Sequence, residues 1–116
     1  MGEAMPNPNI EDAIAVRKYD LSDGRKIHAY LWPPVSQPTG EYSCCFQIKG
    51  IDDEKIRTVH GIDSLQALVL AQNAILGNLC SSNEYKAGKL TWFGSRYLGL
   101  AVPKYLRRDT PEEDED

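Results

Sequence analysis

Hydrophobic and polar positions alternate strictly over residues 25–32 and again over 42–50, the period of a strand with one buried face. In the first run Ile27, Ala29 and Leu31 take one side and Lys26, His28, Tyr30 and Trp32 the other. In the second, Tyr42, Cys44, Phe46 and Ile48 point inward while Ser43, Cys45, Gln47 and Lys49 point outward. Apolar stretches at 13–21 and 55–61 flank these runs. Turn chemistry lies at Ser22-Asp23-Gly24 and again after Gly50, so four strands in a β-meander are predicted, with the proline-rich residues 33–41 as a loop.

The period changes at Gly61-Ile62-Asp63. From Ser64 to Cys80 there is no Asp, Glu, Lys or Arg, although 26% of the chain is charged, so this segment is expected to be covered on most sides. Asp63 with Gln66 three residues on forms a capping box with aspartate as the cap, which starts a helix there. At about 100° per residue, Leu65, Leu68, Val69, Ile75, Leu76 and Leu79 make a stripe for the sheet, with Gln72 inside it or at its rim. The opposite side, Ala67, Leu70, Ala71, Ala74 and Gly77, is small and apolar. It calls for a cover, either the segment after residue 84 folded back or the same helix of a second subunit in a homodimer. Two short strands, 90–93 and 97–102, follow around Gly94-Ser95, the second ended by Pro103. The expected fold is α+β, an antiparallel β-meander packed on one long helix and closed by a C-terminal hairpin, in the order β-β-β-β-α-β-β.

The 116 residues suffice for one core. They divide into a flexible lead-in over 1–12, a single domain over 13–103 and a charged tail over 104–116 that is acidic from 109. The net charge of −4 conceals a contrast: six of the seventeen acids lie in 109–116, which leaves 13 bases against 11 acids in the body. Such a tail is a solvated arm or a contact for a basic surface. The N-terminus carries no secretory pattern, and Gln66, Gln72, Asn73, Gly77 and Asn78 interrupt the uncharged stretch, so a cytoplasmic protein without a membrane span is expected. Cys44, Cys45 and Cys80 make neither an even disulfide framework nor a metal spacing and are expected to be reduced, Cys44 buried and Cys45 exposed.

The segments "CFQIKGI", "GIDSLQAL" and "LTWFGSRYLGL" together resemble a family of small bacterial proteins defined as a domain of unknown function. The matching positions are Cys45, Gly50, Gly61, Asp63, Ser64, Gln66, Ala67, Leu68, Trp92, Gly94 and Gly99, over a span from about residue 16 to 103. The resemblance implies bacterial origin and one α+β domain, and no activity.

Catalytic signatures are missing: there is no Gly-x-Ser-x-Gly, no phosphate-binding glycine loop and no HExxH. His28 and His60 have no Cys, Asp or Glu at ligand spacing, so neither a metal nor a cofactor is expected. Asp52, Asp53 and Glu54 read as a solvated turn. What stands out is the outer sheet face, where Arg17, Tyr19, Lys26, His28, Tyr30, Trp32, Gln47, Lys49, Lys55 and Arg57 are expected side by side. Tyr, Trp and Arg dominate protein-interface hot spots. The sequence therefore points to a non-enzymatic protein-interaction module, an adaptor or immunity-type partner, binding through Lys26, His28, Tyr30, Trp32 and Arg57. Single-stranded nucleic acid is the alternative occupant of such a face, opposed by the acidic pI of 5.1 and the acidic tail. A thiol enzyme using Cys45 with His28 or His60 is a third reading.

Overall fold

Six strands and two helices organise residues 9–100, the part of the chain that the structure, a computed structural model, describes. The strands are β1 (Ala15–Leu21), β2 (Lys26–Leu31), β3 (Val35–Ser36), β4 (Tyr42–Lys49), β5 (Arg57–Gly61) and β6 (Leu90–Thr91). The helices are α1 (Ser64–Cys80) and α2 (Asn83–Lys86), and a 3-10 turn over Ile10–Asp12 precedes β1. All strand pairs are antiparallel, and the expected meander is present. Pro33 and Pro34 cannot donate to a ladder, so the chain leaves β4 there. It rejoins as the two-residue β3, which pairs with the start of β4 inside the expected loop. Tyr42 and Ser43 pair with both β3 and β5, so these lie on opposite edges of β4.

Inner-face side chains Tyr19, Leu21, Ile27, Ala29, Leu31, Cys44, Phe46 and Ile48 pack with Ala67, Ala71, Ile75, Leu76 and Leu79 of α1 in one core. Asp63 caps α1 as expected, accepting from the Gln66 N–H at 2.8 Å, while Gln66 accepts from the Ile62 N–H at 2.8 Å. Asp63→Ala is expected to lower stability by about 1 kcal/mol, read as a reduced urea midpoint.

The buried face of α1 differs from the expected stripe. Ala67 and Ala71 are fully buried against the sheet, whereas Leu65 is 69% exposed, Val69 is exposed and Leu68 is half-buried. The cause is Gly61, where an added Cβ would lie 2.6 Å from the Ala67 nitrogen. So close an approach of β5 to the first helical turn leaves room only for alanine. Ile75, Leu76 and Leu79 are buried as expected, and Gln72 sits at the rim. The side proposed for a homodimer is corrected accordingly: Ala67 and Ala71 meet this chain's own sheet, Ala74 packs against the core, and Leu70 is exposed.

The C-terminal hairpin is shorter than expected and does not fold over α1. β6 pairs with β1, and a Trp92–Ser95 bridge closes a turn whose two central residues, Phe93 and Gly94, both have positive φ. Both values fit the type I′ geometry favoured in two-residue hairpins. Residues 97–100 then cross the inner side of β1, beside α1. There Arg17 Nη1 donates to the Gly99 carbonyl at 2.8 Å and Tyr19 donates to the Leu98 carbonyl at 3.1 Å. The last two positions of the expected final strand, Pro103, the tail over 104–116 and the lead-in up to Pro8 lie outside the described residues. Among the described residues no helix is long and apolar enough to cross a membrane.

Candidate functional site

The outer face of the sheet has a closed half and an open half. In the closed half Trp32 is only 2% exposed, because the N-terminal turn folds across it and the Asn9 carbonyl accepts from its indole Nε1 at 2.7 Å. Ser43 beside it accepts from Gln37 of the loop after β3, at 2.7 Å. Cys45 was expected at the surface but is 2% exposed, hydrogen-bonded to the Thr58 hydroxyl at 3.3 Å. Its register neighbour on β5 is Thr58, and the Trp32 N–H donates to its carbonyl on the other side, so neither histidine stands directly across from it.

Cys44, on the inner face, donates to the Trp32 carbonyl, and burial, then neighbouring Cys45, pushes its thiol up to about 11. A thiol protonated at neutral pH is a poor nucleophile. Iodoacetamide at about pH 8 is therefore expected to leave the folded protein unmodified at all three buried cysteines, as intact mass would record.

In the open half, His28 and Tyr30 lie nearly parallel, ring centroids 6.0 Å apart and 14° between planes. Register sets their neighbours. Lys18 of β1 and Lys49 of β4 flank His28, and Val16 and Gln47 flank Tyr30. Lys26, one row further, is paired with Asp20. Lys18 and Lys49 meet no acid within ion-pair distance among the described residues, in contrast to Lys26, Arg25 and Arg57. Ile14, Val16, Ile10 and Ile56 are exposed apolar side chains around the same region. A shallow groove of about 530 Å³ runs beside Gln47 and Lys49, between Ile10 and Glu11 of the N-terminal turn and Ile56 of the β4–β5 connection.

Of the residues expected to bind, Lys26, His28 and Tyr30 share this open half. Trp32 continues the aromatic row, 6.2 Å from Tyr30, but is buried. Arg57 is on the other face of the sheet, opposite Phe46, and is held by Asp53 at 3.0 Å. Hydrogen bonding from the Lys55 N–H, with the Arg57 charge behind it, holds the Asp53 carboxyl below the usual range. Lys55 lies in the connection before β5. Arg17 and Tyr19 are corrected to the inner face. Their places outside are taken by Val16 and Lys18, beside Tyr30 and His28.

Among the described residues no three His, Cys, Asp or Glu side chains are grouped to hold a metal ion. A family model described as a domain of unknown function, DUF6968, matches residues 15–103. Neither the curated proteins nor the solved structures contain a match to the chain.

Proposed function

For this chain, which belongs to the DUF6968 family, we propose the role of a non-enzymatic protein-interaction module that takes an acidic, partly apolar segment of its partner on the open half of the sheet. The observation that carries it is the row Lys18, His28 and Lys49, three cation-forming side chains across three adjacent strands with no acid paired to either lysine among the described residues. Two ammonium groups unpaired among the described residues favour a carboxylate-bearing partner and speed its approach. Tyr30, Val16, Ile10 and Ile56 supply the apolar contact that surface charge alone lacks. The burial of Trp32 weakens the nucleic-acid alternative, because a base needs an open ring face on which to stack. The burial of Cys45 likewise weakens the thiol alternative, since the thiolate must be reached by a substrate.

Selection from a displayed random-peptide library tests the proposal without a known partner. Enriched sequences are expected to combine Asp or Glu with an apolar residue. They are expected to bind the Lys18→Glu, Lys49→Glu double variant at least about tenfold more weakly while its urea midpoint is unchanged. Equal enrichment by the variant defeats the proposal. So does tight binding of a fluorescent single-stranded oligonucleotide that the double variant loses.

A further inference from the structure

On the opposite side of the sheet, α1 packs on β4 and β5 and the C-terminal segment packs on β1. Between these two covers, among the described residues, lies a cleft of about 260 Å³. Its walls are Leu31, Ala29, Ile75 and Leu100, with Arg17 at one side and Gln72 of α1 at another. The alanine at position 29 leaves the floor low, and Gln72 stands at the exposed rim of the cleft.

We propose that this cleft binds a small monocarboxylic acid with an apolar body, its carboxylate held by Arg17. Nη1 of Arg17 is committed to the Leu98 and Gly99 carbonyls, at 3.3 and 2.8 Å, and the guanidinium plane is set by the Trp92 ring, 4.3 Å away. Gly99 permits this arrangement, since a Cβ there would come within 2.6 Å of Trp92. Nε and Nη2 carry further N–H donors, and no Asp or Glu lies within ion-pair range of them among the described residues. The half-buried Arg17, its guanidinium fixed in orientation and without a counter-charge among the described residues, is matched by a carboxylate, which can accept two parallel N–H bonds. The remaining walls fit hydrocarbon. A volume just below the usual range for ligand pockets, about 300 to 1,000 Å³, selects a medium-chain or single-ring acid and excludes a nucleotide or a long acyl chain.

The site is independent of the outer face, and the test separates them. Octanoate is titrated into the full-length ¹⁵N-labelled chain, with octanol as the neutral control of equal length. The Arg17 Nε–H resonance is expected to shift saturably, with a dissociation constant of about 1 mM or lower, and octanol is expected to bind at least about tenfold more weakly. Ala29→Leu, which fills the floor and keeps Arg17, is expected to weaken octanoate by about tenfold or more. Lys18→Glu, Lys49→Glu is expected to bind octanoate as the parent does. The proposal is overturned if octanol binds as well as octanoate, if Ala29→Leu binds octanoate unchanged, or if the Arg17 resonance stays fixed up to about 10 mM. A fixed resonance is also the result expected if a carboxylate of the chain itself already answers Arg17.

Discussion

Phe46→Ala is expected to remove about 3 to 5 kcal/mol of stability, a large share of the roughly 5 to 15 kcal/mol that keeps a domain folded. Phe46 is 2% exposed on the central strand β4, paired with Leu31 on one side and Arg57 on the other, and belongs to the cluster under α1. Truncation leaves a cavity between β4 and the helix, and neither wall can collapse into it, because β4 is hydrogen-bonded along both edges. With a urea slope of about 1 to 3 kcal/mol/M, the denaturation midpoint should fall by about 2 M. A shift under about 0.5 M would mean that α1 does not rest on this face of the sheet.

Gly61→Ala is expected to cost about 3 kcal/mol or more although it adds a single methyl group. The backbone at Gly61 has an ordinary φ, so no conformational strain is involved. The obstacle is steric, since the new Cβ would meet the Ala67 nitrogen at 2.6 Å, the Ala67 Cα at 3.0 Å and the Gln66 carbonyl carbon at 3.1 Å. All three are backbone atoms of a helix and cannot turn aside as a side chain would. The first turn of α1 has to move away from β5, which pulls Asp63 and Gln66 out of their capping bonds and opens the contact of Ala67 and Ala71 with the sheet. Thermal unfolding followed by circular dichroism would record the loss. A midpoint within about 2 °C of the parent would contradict the close packing of helix on strand.

These two substitutions mark what was legible in the sequence and what was not. Strict alternation around Ile27 and Phe46 placed both central strands correctly; burial is one-sided on β2, whereas on β4 the outer-face Ser43 and Cys45 are covered as well. The start of α1 was equally legible, since Asp63 and Gln66 satisfy free backbone donors by themselves. The helix face was only partly legible. The 100° stripe placed Ile75, Leu76 and Leu79 correctly but assigned Leu65 and Val69 to the core, whereas the first turns bury Ala67 and Ala71, because distance to β5 is set there by Gly61 and not by side-chain volume.

The candidate site was half legible for a related reason. Lys26, His28, Tyr30, Gln47 and Lys49 follow from alternation alone. Lys18 was missed because β1 has apolar and charged residues on both faces, so its phase is ambiguous in isolation. The signal lay in the hairpin: a three-residue connection sets Leu21 opposite Arg25, hence Tyr19 opposite Ile27, and sends Lys18 out with His28. Trp32 obeys the alternation and is nevertheless buried, because what covers it is the turn at Asn9, distant in sequence and without a periodic pattern of its own.

Five apolar positions outside the core frame the remaining question about partners. Ile62, 74% exposed, continues with Leu65 and Val69 along α1, while Val16 and Ile56 border the open half of the sheet on the other side of the molecule. A partner docking on the helix and one docking on the sheet would touch different residues. Amide chemical-shift mapping of the ¹⁵N-labelled chain with the selected acidic peptide separates them. Perturbations gathered on Val16, Lys18, His28, Tyr30, Gln47 and Lys49, weakening as salt rises, are the expected result; perturbations gathered on Ile62, Leu65 and Val69, with the sheet residues unmoved, would contradict it.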